Sequence, residues 1–394
     1  MSKMRICLVS YEFPPRAGGE GVYTSDLMSA LQSSGSEVLL LTPNWSNSNT
    51  ERDSSRVHVN PLEIPGMKTT SFMLRANRKL KQLSDRFDVV HYTNDYCGFG
   101  ASRSEIGKPV LATIHHTHSL EASSVAPHLN GGTAGRAKFS ISETMLRRME
   151  RGTLKNADMV VAVSRFTAEN ALAIYPFLQG RIKVVLNAVD DGRFNPCNDS
   201  SLFRNRVGLG KSQTILYVGR LAVSKGIRFL IEAFKEVVSD FSEAKLVIVG
   251  SGSSEEEHQI KLLIDKLALS NSVMLAGPVS AEDLPKAYSA CDLVVLPSLV
   301  EGFGLVLLEG MASGKPVVAT RLGPTEEIVS DGVEGLLVPK ADSHLLAQGI
   351  SSILSNHSLA TSMGRAGRKK IEERFSLKRW ASEMTGIYQE LSQK

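Results

Sequence analysis

The sequence predicts an α/β protein made of two doubly wound parallel domains, and three observations predict it. Short apolar runs alternate with segments of helical period from about residue 5 to residue 355. A polar, turn-rich break at Asn187–Ser201 (NAVDDGRFNPCNDSS) interrupts that rhythm, which then restarts. The chain has 394 residues, and at roughly 100–200 residues per domain one core would not suffice. The boundaries that follow are 1–190, 200–375 and a terminal segment 376–394.

The first element is the buried-type strand Arg5-Ile-Cys-Leu-Val9, followed by the turn segment Tyr11–Gly19. A helical pattern carrying Val22, Leu27, Ala30 and Leu31 runs to a stop at Gly35, and Val38–Leu41 is the second strand. Further strands are expected at 57–59, 88–92, 109–114, 159–163 and 182–186, with helices at about 72–86, 138–156 and 165–174. The Gly-, Ser- and Ala-rich stretch 119–135, with Asn130-Gly-Gly132, reads as a mobile loop. After the break, strands fall at 214–218, 245–249, 273–275, 293–296, 316–319 and 335–338. Helices fit at about 226–239, 255–269, 282–289, 303–313, 324–330 and 342–355. A last amphipathic stretch places Trp380, Met384, Ile387, Tyr388 and Leu391 at helical spacing, and is expected to pack back across the domain joint.

Composition narrows the function classes. Hydrophobic residues make up 42% and charged residues 22%, which excludes a disordered or collagen-like chain. No apolar run approaches the ~20 residues of a membrane-spanning helix, and Ile6–Val9 is too short for a secretory core. The four cysteines form no Cys-x-x-Cys pair, so neither a disulfide framework nor a zinc site is indicated. A cytoplasmic protein is expected. The net charge is +4, and residues 1–195 carry 23 Lys+Arg against 18 Asp+Glu. No aromatic-interleaved basic motif accompanies that excess, so no nucleic-acid partner is expected. A peripheral contact with anionic lipid at the inner face of the membrane stays open. Its candidate is 72–87, where Met73, Ala76, Leu80, Leu83 and Phe87 make one stripe among basic residues. The competing reading is a core-packed helix with a basic outer face.

In open α/β sheets, ligands bind beyond the carboxyl ends of the strands. After the first strand come Gly18 and Gly19, leading into a helix. Lacking Cβ atoms, they would let backbone N–H groups approach an anion, though a plain tight turn explains them as well. After the strand at 214–218 come Arg220 and Lys225, glycine-flanked cations suited to a diphosphate. Gly250-Ser-Gly252 has the first two glycines of a dinucleotide fingerprint but lacks the third. The sharpest feature follows the strand at 293–296: Glu301-Gly302-Phe303-Gly304-Leu305, with Glu309 inside the ensuing helix. A carboxylate in an otherwise apolar helix needs a hydrogen-bonding partner, and vicinal sugar hydroxyls suit it. Thr113-Ile-His115-His116-Thr117-His118 closes the strand from Pro109. Three histidines suggest a metal, but no Asp or Glu partner is read close by in sequence.

These residues together resemble the retaining glycosyltransferases of family 4. The resemblance rests on Glu301 and Glu309 separated by seven residues that begin Gly-Phe-Gly, and on Gly18-Gly19, His115, Val163-Ser164 and Asn187-Ala-Val-Asp190. It extends to Val218-Gly-Arg220, Lys225-Gly226, Val249-Gly-Ser-Gly252, Leu275–Val279, Gly314-Lys-Pro-Val317 and the Trp380 helix. It implies the GT-B architecture, two Rossmann-like domains facing across a cleft, and a role in carbohydrate biosynthesis. It implies a nucleotide-sugar donor, UDP-linked in preference to GDP-linked with both open, and a hexose moved to a hydroxyl acceptor: lipid, polysaccharide precursor or small metabolite. Arg220 and Lys225 would neutralise the donor diphosphate, with Gly18 and Gly19 approaching it. Backbone near Val279 would hold the base and Glu309 the ribose. Glu301 would bind the transferred sugar, the amides of Gly302, Phe303, Gly304 and Leu305 would face sugar and phosphate, and His115 would lie beside the anomeric carbon.

The family places Asp or Gly after the strand-end histidine in many members, where this chain has His116-Thr117-His118. No Asp-x-Asp occurs in the chain, so no cofactor and no essential metal are expected. Competing readings are a sugar phosphorylase or nucleotide-sugar epimerase on the same fold, and a non-catalytic binding protein.

Overall fold

The computed structural model describes residues 3–14, 18–44, 54–62, 68–101, 103–128 and 133–393, with backbone alone for 103 and 133–140. The chain forms two compact units. The first is Met1–Ala122, Gly131–Asn187 and Leu377–Lys394, and the second is Ser123–Asn130 and Ala188–Ser376.

The first unit contains β1 (Arg5–Val9), α1 (Gly19–Ser33), β2 (Glu37–Thr42), β3 (Arg56–His58), α2 (Lys68–Gln82), β4 (Val89–Tyr92), α3 (Arg103–Ile106), β5 (Val110–Ile114) and the first part of α4 (His118–Val125), whose residues from Ser123 group with the second unit. It continues with α5 (Thr133–Asn156), β6 (Met159–Ala162), α6 (Arg165–Ile174) and β7 (Ile182–Val184). Its strands pair in parallel in the order β3-β2-β1-β4-β5-β6-β7. Ile6, Leu8, Val90, Leu111 and Val160 are wholly buried. Helices cover both faces of a parallel sheet, so its central strands read as unbroken apolar runs without alternation.

The second unit contains α7 (Ser201–Arg206), β8 (Thr214–Val218), α8 (Ile227–Asp240), β9 (Lys245–Val249), α9 (Ser254–Lys266), β10 (Val273–Gly277), α10 (Leu284–Ala290) and β11 (Leu293–Leu296). There follow α11 (Leu305–Ala312), β12 (Val317–Thr320), α12 (Gly323–Ile328), β13 (Gly335–Val338), α13 (Ser343–Leu354) and α14 (His357–Arg374). The parallel order is β10-β9-β8-β11-β12-β13. In α8, Ile227, Leu230, Ile231, Phe234 and Val237 recur at helical spacing and enter the core with Val295 and Ile350. Ser253 caps α9 through a reciprocal bond with Glu256, which offsets two otherwise orphaned N–H groups.

The terminal stretch forms α15 (Leu377–Ser392) and groups with the first unit, although it follows the second in the chain. Trp380, Met384, Tyr388 and Leu391 are buried, and Trp380 meets the Tyr23 ring of α1 at 5.0 Å. Tyr388 bonds His91 Nδ1 at 2.8 Å, and His91 Nε2 reaches Thr113 Oγ1 at 2.7 Å, so α15 closes a buried polar chain behind β4 and β5.

Three expectations are corrected. The stretch 119–135 is not a loop where it is described. It begins inside α4, continues as a short 3-10 turn Ala126–His128, and resumes as α5 from Thr133, while Asn130–Gly132 lies outside the described residues. Small residues without Gly or Pro permit a helix at 118–125. The membrane-facing reading of the 72–87 stripe gives way to its competitor, the core-packed helix with a basic outer face: Met73, Ala76, Leu80 and Phe87 are wholly buried, leaving Arg75, Arg78 and Lys81 outside. Helix α14 has no counterpart among the expected elements. Its glycines interrupt the apolar pattern because they serve close packing: a Cβ on Gly364 would fall 2.1 Å from the Gly314 carbonyl oxygen. The four cysteines are free thiols.

Candidate active site

The second sheet reverses its order between β8 and β11, and a crevice opens at the carboxyl ends of such a pair. The residues expected to handle the donor leave from there. Beyond β8, Gly219 is followed by Arg220, whose carbonyl accepts a 2.6 Å bond from the buried Tyr217 hydroxyl. Arg220 itself is exposed. A 3-10 turn then presents Lys225, and Gly226 starts α8 at φ +65°. A side chain at Gly226 is impossible twice over. The backbone is left-handed, and a Cβ would sit 1.9 Å from the Pro297 carbonyl oxygen. That close approach, with Leu299 N–H donating to the Ser224 carbonyl at 2.9 Å, joins the loop after β8 to the loop after β11.

The joined loops bring Lys225 and Glu301 together. Lys225 Nζ donates to Glu301 Oε2 at 2.9 Å, and Ser298 Oγ donates to the same oxygen at 3.0 Å. The lysine side chain is 22% exposed and the glutamate 12%, so the pair sits at the rim of the protein interior. An ammonium has three protons and holds one carboxylate here, which leaves capacity for an incoming anion. Gly304, at φ +111°, turns the chain into α11, whose first N–H groups have no partner within the helix. Phe303 is buried beside Phe375, while Gly302 and Leu305 are half-buried. Glu309 lies on α11 and is buried, and the Tyr288 hydroxyl of α10 donates to it. The chain therefore supplies one of the hydrogen bonds that the sequence reading assigned to a sugar. Burial and the adjacent Glu309 charge hold the Tyr288 phenol well above its ordinary range, so it stays a donor.

Val279 lies just past β10 and is half-buried. Gly250 does not serve a dinucleotide turn. A Cβ there would fall 1.9 Å from the Gly219 carbonyl oxygen, so this glycine lets the loops after β8 and β9 pack. Tyr217, Tyr288 and Ser298 escaped the sequence reading, since a buried phenol in a strand or helix looks the same as any core aromatic.

In the first unit, Gly18 precedes α1 and its N–H does meet an anion, but the anion is the chain's own Glu12, whose Oε2 accepts at 2.8 Å. Among the described residues, no heavy atom would crowd a Cβ on Gly19 within 4 Å. His115 ends β5 and is buried. Its Nε2 donates to the Thr93 carbonyl at 2.8 Å, and Tyr23 meets the ring edge-on at 4.7 Å. Burial, with the His116 charge, lowers its pKa to about 4 even though the Thr93 bond acts the other way, so the ring is neutral near pH 7. His116 is opposite. Burial alone would depress it, but the 2.9 Å bond to Glu121 and the charges of Glu121 and Asp95 outweigh that and raise it to about 9. Contrary to the expectation that no carboxylate lies close by in sequence, Glu121 stands three residues past His118, and the fold adds Asp95, Glu143 and Glu150.

Comparison with known proteins identifies the family. Residues 199–370 match the family described as glycosyl transferases group 1, and residues 17–193 match glycosyltransferase family 4. An uncharacterized glycosyltransferase of Methanocaldococcus jannaschii is 29% identical over 98% of both chains. The GDP-mannose-dependent alpha-(1-6)-phosphatidylinositol monomannoside mannosyltransferase of Mycobacterium tuberculosis is 26% identical over 93% of both. The solved structure of Anabaena HepE with UDP-glucose superimposes with a TM-score of 0.77 at 20% identity, covering 98% of this chain and 100% of that one. No described helix is long and apolar enough to cross a membrane. Two parallel Rossmann-like sheets, a cation–carboxylate pair at the second switch point and two adjoining family matches lead to one conclusion: the chain belongs to the group 1, family 4 glycosyltransferases of the GT-B fold.

Proposed function

We propose that the protein is a retaining hexosyltransferase that takes its sugar from a nucleoside diphosphate hexose, UDP-linked in preference to GDP-linked, and delivers it to a hydroxyl acceptor. The observation that carries this reading is the Lys225–Glu301 pair at the β8/β11 switch point, with Glu309 on the next helix. Lys225 and Arg220 meet the diphosphate, the N-terminal amides of α11 add partial positive charge, and Glu309 accepts from the ribose hydroxyls. Glu301, held by Lys225 and Ser298, accepts from hydroxyls of the hexose.

As transfer proceeds, the bond between the anomeric carbon and the phosphate oxygen breaks. The acceptor oxygen bonds to the same face of that carbon, and its proton passes to the departing phosphate. The cations gain most where negative charge grows, so they stabilise the transition state more than the bound donor. Two side-chain cations already face the diphosphate, so the reaction runs without a divalent ion there.

Support for the donor class comes from relatives: HepE was solved with UDP-glucose, and the mycobacterial relative is described as GDP-mannose-dependent. A panel of nucleotide sugars tests the reading, with melting shifts for binding and proton NMR of the product for anomeric configuration. A shift with UDP-hexoses larger than with GDP-hexoses, and an axial product from an axial donor, are expected. An inverted product, turnover that needs inorganic phosphate, or epimerised donor without acceptor would replace it.

A further inference from the structure

Within the first unit, three distant segments converge on His118: the loop after β4, the start of α4, and α5. Asp95 and Glu150 are 1% and 0% exposed, and His118 is 6% exposed. His118 Nε2 lies 3.9 Å from Asp95 Oδ1 and 4.0 Å from Glu150 Oε2, and its Nδ1 lies 3.8 Å from Glu143 Oε2. These gaps are too long for hydrogen bonds. Both ring nitrogens of His118, both oxygens of Asp95, Glu150 Oε1 and Glu143 Oε2 have no hydrogen-bonding partner among the described residues. Leaving one buried carboxylate oxygen unpaired is costly, and here several groups of ligand type share one point.

Protonation alone does not remove the difficulty, because one proton pairs only two of these groups at a time and leaves the remaining carboxylate facing them. A cation at the centre does. One ligand atom from each of Asp95, His118 and Glu150 lies within 4.8 Å of the others. Ligands about 2.1 Å from a tetrahedral centre stand about 3.4 Å apart, so small side-chain movements complete the shell. With Nε2 on the ion, Nδ1–H faces Glu143, the carboxylate partner that commonly orients a ligating imidazole. His118 N–H already donates to Glu150 Oε2 at 2.9 Å, which ties the two ligand-bearing helices before any ion arrives.

We propose that Asp95, His118 and Glu150 bind one divalent first-row metal ion, with Glu143 orienting the histidine, and that this ion ties the loop after β4 to α4 and α5. The mixed imidazole and carboxylate set suits zinc or manganese. The ion lies in the first unit and is no part of the diphosphate chemistry proposed for Lys225 and Arg220.

The test uses the full chain, stripped with chelator and dialysed against Zn²⁺ or Mn²⁺, with elemental analysis and melting curves. About one equivalent of bound metal and a melting rise of about 5 °C are expected. Asp95→Asn and His118→Gln should each lose the equivalent and the rise, Glu143→Gln should weaken metal affinity about tenfold or more, and His116→Gln should keep the metal. Less than a tenth of an equivalent in the unaltered protein without a melting shift overturns the proposal. So does full metal retention in Asp95→Asn, or loss in His116→Gln with retention in His118→Gln. Because a ligand variant could unfold, calorimetric titration of the stripped unaltered chain stands as a second measurement: no saturable binding of either ion overturns the site.

Discussion

The two sheets reverse strand order at equivalent places, β1/β4 in the first and β8/β11 in the second, yet the crevices hold different chemistry. At β8/β11 the chain answers its own charge: Lys225 meets Glu301 at the rim, and Glu309 has Tyr288. Near β1/β4, the loop after β4 carries Asp95 into a buried cluster where Glu143 and Glu150 also surround one imidazole, with distances that no hydrogen bond spans. Topology places ligand-facing loops at the carboxyl ends of strands, and the loop residues then decide what is bound. A site that holds its carboxylate with a flexible cation is ready for an anionic ligand. A site with surplus carboxylates is ready for a cation.

The comparison breaks most easily at Lys225. Lys225→Ala should lower kcat/KM for sugar transfer about a hundredfold to a thousandfold, the scale of one lost transition-state donor, with the larger part in kcat. Steady-state assays over a donor series measure it, and a loss under threefold would show that leaving-group charge develops elsewhere. Stability should respond on the first-unit side. Burial, with the His115 charge, holds the His91 pKa at about 3 in the folded chain, below the ordinary value of 6.5. The unfolded chain therefore takes up a proton first as pH falls. The stability associated with neutral His91 is complete above about pH 6.5 and is lost progressively toward pH 3, on the order of 2–4 kcal/mol. Urea midpoints between pH 7 and pH 4 should fall, and less steeply in His91→Gln. The smallest effect is expected at Glu309→Gln, which keeps the shape and the Tyr288 contact but weakens acceptance from ribose hydroxyls. Nucleotide affinity should drop about tenfold, ~1.4 kcal/mol, by calorimetry.

The parallel strands were legible because they are buried on both faces and so appear as bare apolar runs. Arg5–Val9, Thr214–Val218, Lys245–Val249, Leu293–Leu296 and Gly335–Val338 fall where the runs stand. Helix α14 was not legible, since Gly364 and Gly367 look like breaks until the turn at Gly314 and Met311 of α11 are seen against them. At the β8/β11 switch point, the positions of Arg220, Lys225 and Glu301 after their strands, and of Glu309 inside α11, were legible because each follows an apolar run. Their supports, Tyr288 and Ser298, were not, since a hydroxyl's partner depends on what the fold brings near.

The sequence alone determined two parallel α/β domains, the break near Asn187 and the set of residues at the strand ends, because those rest on local periodicity and on loop position after a strand. Only the tertiary structure decided that the α2 stripe is core, that α15 returns to the first unit, and that Asp95, His118, Glu143 and Glu150 meet. Those outcomes depend on which distant surfaces bury one another. Burial is a property of the packed chain, and no stretch of sequence carries it alone.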